Sequence, residues 1–115
     1  MTRYRVDFDG ILRRQNTGET VTDRAEIQAI VDRILLELSK IAAIDPAVQA
    51  QPDAQISVKV SVEESEVFMA SVAGFTQIRT AVHAAGLGTP GWKVEWLRTT
   101  TDSSHEASHQ VEVAG

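Results

Sequence analysis

The stretch Ile56-Ser-Val-Lys-Val-Ser-Val-Glu-Glu-Ser-Glu-Val-Phe-Met-Ala-Ser-Val72 decides how this chain folds, because it changes period in its middle. Ile56, Val58, Val60 and Val62 alternate with Ser57, Lys59 and Ser61, the period of two that a strand with one apolar and one wet face requires. From residue 67 the spacing lengthens. Phe68, Val72, Phe75, Ile78, Val82 and Ala85 fall on one helical stripe, with Gly74 as its weak point. A strand over residues 67–72, paired back on 56–62, is the competing reading. It would need Glu63-Glu64 as a tight turn, which is poor turn chemistry, whereas Glu63, Glu64 and Glu66 suit the start of a helix. The helix reading is adopted, ending at Gly86 and Gly88 with Pro90 beyond.

Upstream, Tyr4, Val6 and Phe8 alternate with Arg3, Arg5 and Asp7, a second strand with one wet face. Asp9-Gly10 is either a hairpin turn or a bulge through which the strand continues to Ile11 and Leu12. A β-ribbon over residues 11–21 is an added expectation. Asp23 with Glu26 forms a capping-box-like start for a helix carrying Ile27, Ile30, Val31, Ile34, Leu35, Leu38, Ile41 and Ala42, stopped by Asp45-Pro46. Residues 49–54 read as a polar connection. Downstream, Trp92, Val94 and Trp96 alternate with Lys93 and Glu95 in a last strand. Residues 99–108 are rich in Thr and Ser without apolar periodicity. The spacing therefore predicts one α+β domain over residues 1–98 and a polar tail over 99–115, with a short edge strand at 110–113.

Wet-faced strands argue against a doubly wound parallel sheet, which buries both faces. The expected fold is a two-layer α+β sandwich of three or four strands in β-α-β-α-β order, with two helices on one face. A ferredoxin-like plait is the alternative if the Val67 segment is partly strand.

Composition narrows the function classes. With 115 residues and 43% hydrophobic content the chain suits a single core. Sixteen acids against eleven bases give a net charge of -5, which disfavours nucleic acid and anionic membrane as partners. No cysteine is present, so disulfides, thiolate metal sites and cysteine nucleophiles are excluded, and a cytoplasmic location is expected. Residues 1–10 lack the apolar core of a signal peptide, and no run is long enough to span a membrane.

Five features are weighed for chemistry. His105-Glu106-Ala107-Ser108-His109 matches the HExxH pattern, in which two histidines one helical turn apart hold zinc and the glutamate activates water. The pattern needs a rigid helix and a third ligand, and an unpatterned tail is a poor place for either. The leading reading of His105 and His109 is therefore a solvated tail, with a surface metal pair as the alternative, a zinc-dependent hydrolase as the weakest reading and no cofactor expected. His83, one turn after Arg79, is a candidate ligand or general base. Trp92 and Trp96 are candidates for lining a ligand pocket or an interface. Arg3, Arg5, Arg13 and Arg14 are the basic concentration, offset by Asp7 and Asp9, and Gly86, Gly88 and Gly91 follow a helix, the wrong context for a phosphate loop.

The segment Val82-His-Ala-Ala-Gly-Leu-Gly-Thr-Pro-Gly-Trp92, together with Ile56-Ser-Val-Lys-Val-Ser-Val-Glu63, resembles a group of small uncharacterised proteins of high-GC bacteria and their phages. The resemblance spans residues 4–98. It implies a shared α+β domain and carries no activity. The function expected is thus a non-enzymatic interaction or accessory domain working through a protein surface, with a homodimer as one form of it. A small-molecule-binding regulatory domain, with its pocket between the second helix and the Trp92 strand, is the alternative.

Overall fold

The computed structural model describes the backbone of residues 1–86, 91–103 and 110–114, and the side chains of residues 1–86 and 91–103. Its elements are β1 (Thr2–Arg14), α1 (Arg24–Lys40), β2 (Ile44–Ala50), β3 (Gln55–Glu64), α2 (Val67–Gly86), β4 (Trp92–Ser103) and β5 (Gln110–Ala114). The strands form one antiparallel sheet in the order β2-β3-β1-β4-β5. Both helices pack on one face of it, the two-layer α+β sandwich that the wet-faced strands require.

The first six elements, with β1 and β3 adjacent in the middle, have the connectivity of the ferredoxin-like plait. The plait arises from a strand that the β-α-β-α-β order lacks: β2 occupies residues read as helix stop and connection. Helix α1 ends at Lys40, and Ala42 and Asp45 take positive φ, 56° and 46°, which turns the chain back into the sheet before Pro46 is reached. The Val67 segment is helix throughout, and Glu63 and Glu64 close β3 instead of opening α2.

Asp9-Gly10 is neither a hairpin turn nor itself bulged: its pairing with β3 is unbroken, and the extra residue is Leu97 of β4, between the partners Arg98 and Trp96. β1 runs straight through Asp9-Gly10 to Arg14, and its register with β4 shifts between Asp9 and Gly10. Of the expected ribbon only one bridge forms, Arg13 to Thr20. β4 continues past Arg98 to Ser103, so the Thr-rich segment begins inside the sheet. Thr101 is buried there, its hydroxyl 2.7 Å from that of Ser71 on α2, so a polar β-branched residue fills a core position with its hydroxyl satisfied. β5 pairs residues 110–114 with 98–102 and supplies the fifth strand, where the expectation was three or four.

The core lies between sheet and helices. Val6, Phe8 and Leu12 of β1, the four aliphatics of β3, and Ile27, Ile30, Val31, Ile34 and Leu38 of α1 form one cluster. Asp23 caps α1 by accepting from the Ala25 amide at 3.0 Å. The capping box does not close on Glu26. Both its carboxylate oxygens are taken by the Arg14 guanidinium, at 2.6 and 2.7 Å, a fork that ties the end of β1 to the first turn of α1.

Helix α2 buries a different face from the one its large residues mark. Ala70, Gly74, Ile78, Ala81 and Ala85 face the core, while Phe68 and Val72 are 67% and 46% exposed. At 100° per residue the two stripes lie about a third of a turn apart. The small residues win because α2 crosses directly over β1: a Cβ at Gly74 would come within 2.8 Å of the Val6 side chain. A helix packed that closely has no room for phenylalanine underneath.

Candidate functional site

Two surfaces of the sandwich differ in character. The open sheet face carries an interleaved charge array: Arg3 pairs with Glu63 at 3.5 Å, Lys59 with Asp7 at 3.9 Å and Arg98 with Asp9 at 3.9 Å, while Arg13 pairs with Glu95. Pairs this exposed contribute little each. The array is a solvated face in which positive and negative charges offset one another, as expected for the arginines of β1.

Within the array, the Asp7 carboxyl is raised from its ordinary value. Burial pushes it up, against the lowering effect of the hydrogen bond that Ser57 donates at 2.9 Å; the Asp9 charge raises it further and Lys59 opposes. Between the ordinary value, about 3.9, and the raised one, the folded chain holds more protons than the unfolded chain. This contribution to stability therefore falls as pH rises through that window and stays lost above it. Asp7→Asn keeps an acceptor for Ser57 and removes the buried charge. Its urea midpoint should match the natural chain below the window and equal or exceed it at pH 7; a variant less stable at pH 7 than at acid pH, relative to the natural chain, would contradict this.

The second surface is the side where α2 runs along β4. Phe8, on the helix side of β1, stacks on Phe75 of α2, with ring centroids 5.0 Å apart, and Trp96 meets Phe8 edge-on at 5.8 Å. These rings, with Val72 and Thr99, line an almost wholly apolar cleft of about 410 Å³. Beside its mouth Phe68, Met69 and Val72 stand exposed on α2, at 67%, 44% and 46%. The Thr99 hydroxyl, at the edge of the same cleft, is buried and without a partner among the described residues.

Further along, a groove of about 310 Å³ is lined by Trp92, Trp96, His83, Arg79, Val82 and Lys93, among others. The structure thus brings Trp92, Trp96 and His83 together. Alternation along β4 puts the two indoles on its helix-side face, and the last turns of α2 place His83 one turn beyond Arg79 across from them. His83, Arg79 and Lys93 are exposed at the rim. Neither Arg79 nor Lys93 is in an ion pair among the described residues. An apolar floor with a cationic rim suits a ligand that is apolar and carries a negative charge. A larger concavity, about 650 Å³, lies between the start of α1 and the β2–β3 turn, where Arg24 and Asp53 are the charged groups.

His105 and His109, with Glu106 between them, lie outside the described residues. Among the described residues no group of three or more His, Cys, Asp or Glu is placed to hold a metal ion, and no helix is long and apolar enough to cross a membrane. Phe68, Met69 and Val72 are the surface residues that sequence reasoning missed, since helical spacing assigns Phe68 and Val72 to the core. The available signal was the second stripe of small residues at the same helical period. Comparison with protein-family models, curated proteins and solved structures finds no match to the chain.

Proposed function

We propose that this chain is a non-catalytic interaction module that engages a protein partner through the flank of α2 beside β4. The observation that carries the reading is the cluster of Phe68, Met69 and Val72, exposed side by side next to an apolar cleft. An aromatic and aliphatic group at the rim of an apolar cleft has the make-up of an interface centre, where a few large side chains supply most of the binding energy. Burying Phe68 and Val72 in a partner also recovers apolar surface that the packing of Gly74 on Val6 leaves in water.

The test is capture of partners from host lysate with the natural chain and with Phe68→Glu/Val72→Glu. Both positions are exposed, so the stability of the variant should change by only about 0.5–1 kcal/mol. A partner retained by the natural chain and lost by the variant supports the reading; equal capture by both would refute it.

A second reading rests on the groove that joins Trp92, Trp96 and His83: a regulatory domain binding a small anionic, apolar ligand there. The two readings part in the same experiment. Trp92→Ala leaves capture intact under the first and alters it under the second only through loss of the ligand.

A further inference from the structure

The sheet has two outer edges, and they are guarded differently. On the β2 side Pro46, the positive φ of Asp45 and a register shift between Ile44 and Ala47 break the edge, devices that stop another strand from adding. On the β4 side, β5 covers residues 98–102. Over residues 92–96, short of the bulge at Leu97, no described residue pairs with the outer edge of β4, and the segment Trp92-Lys-Val-Glu-Trp96 contains neither proline nor glycine. Such an edge presents unpaired backbone N–H and C=O groups to any strand that fits.

The sequence of this edge is complementary to itself. When two copies run antiparallel about a two-fold axis at Val94, Lys93 of each faces Glu95 of the other, and Trp92 faces Trp96 on the helix side. A shift of two residues in one direction sets Lys93 against Lys93, and in the other Glu95 against Glu95. Odd shifts put the charged face of one strand against the apolar face of the other, so charge and pleat together leave this register. Lys93 and Glu95 are both exposed, Lys93 has no hydrogen bond or ion pair among the described residues, and the Arg13 contact fixes Glu95 through Oε2. An incoming Trp92 would lie opposite Trp96, which clears the pairing of β5 at Arg98.

We infer that the chain forms a symmetric homodimer in which residues 92–96 of β4 pair antiparallel with the same residues of a second copy, joining the two sheets into one. A second copy is favoured over an unrelated strand because both the charges and the tryptophans of this edge find their complements within the edge itself. The inference goes beyond the partner site on the α2 flank: Trp96 borders both, but the pairing runs through the backbone of residues 92–96 and is read as self-association, so either can fail alone.

The experiment is light scattering on the purified full chain, which reads self-association without any partner and is independent of capture. The natural chain should give twice its 12.5 kDa mass at submillimolar concentration. Lys93→Glu sets glutamate against glutamate at both charged positions and should weaken the dimer at least ~10-fold, as should Glu95→Lys by setting lysine against lysine. Mixing the two variants should restore a dimer, because positions 93 and 95 are then both acidic in one copy and both basic in the other. If Glu95→Lys does not fold, Lys93→Gln serves: it should weaken association less than Lys93→Glu. A natural chain that stays at 12.5 kDa overturns the inference, and so does a dimer indifferent to charge at position 93.

Discussion

Gly74→Val should cost about 3 kcal/mol or more of folding stability, read as a lower urea midpoint with an unchanged slope. The cause is the close crossing of α2 over β1. A Cβ at Gly74 would meet three atoms of the Val6 side chain at 2.7–2.8 Å, and Val6 is itself fully buried in the central strand with nowhere to retreat. Even Gly74→Ala should destabilise, although alanine is better than glycine in a helix by about 1 kcal/mol, because the overlap costs about 1–3 kcal/mol. The cycle with Val6→Ala separates steric overlap from any other cause. Removing the two Val6 methyls relieves two of the three overlaps and leaves only the Val6 Cβ at 2.8 Å, so the double variant should be more stable than the sum of the singles predicts by about 1 kcal/mol. Strict additivity would show that the two residues do not collide.

The same crossing explains why periodicity misplaces half of α2. Spacing identifies a helix and its apolar arc, yet two arcs compete on α2, and volume alone ranks Phe68, Val72 and Phe75 above Ala70, Gly74 and Ala81. Which arc faces the sheet depends on how close the axis comes to β1, a tertiary quantity fixed by Gly74 against Val6. Helix α1 has one apolar arc: of the residues its spacing marks, Ile27, Ile30, Val31, Ile34 and Leu38 are buried and Leu35 is half-buried, while Ile41 and Ala42 fall past its end and are exposed. β1 and β3 were legible for the same reason: a strict period of two leaves one face to bury. β2 was not. Ile44-Asp-Pro-Ala-Val-Gln-Ala50 has a proline, a left-handed aspartate and no alternation, and it becomes a strand only because β3 offers an edge. Residues 99–103 hid differently, since threonine satisfies a polar reading and a strand reading equally until Ser71 supplies a partner for Thr101.

The candidate surfaces divide along the same line. Trp92 and Trp96 share a face by strand alternation, and His83 follows Arg79 by one turn, so their membership of one groove was open to sequence reasoning once α2 and β4 were placed side by side. The cleft around Phe75 was hidden, because its exposed rim consists of residues whose chemistry alone says core. A large apolar residue at helical spacing is evidence of burial against something, and nothing local says whether that is the chain's own sheet or another molecule.

Phe8→Ala tests how far that cleft belongs to the fold. Phe8 is 6% exposed, stacks on Phe75 and meets Trp96 edge-on, so its ring supports both walls. Truncation should cost about 3–5 kcal/mol from lost burial and the cavity left behind, and the two ring contacts place it towards the upper part of that range. Because the floor opens toward solvent beneath Trp96, the tryptophan emission of the folded variant should shift to the red. Phe8→Leu fills most of the volume and should recover stability to within about 1.5 kcal/mol of the natural chain. It offers Trp96 no ring edge, so the emission should stay altered. Stability and spectrum thus separate the two roles of Phe8: volume sustains the core, and the ring fixes the indole at the cleft. A loss below about 1 kcal/mol in Phe8→Ala would mean that the sandwich closes over the gap and the cleft has no fixed floor.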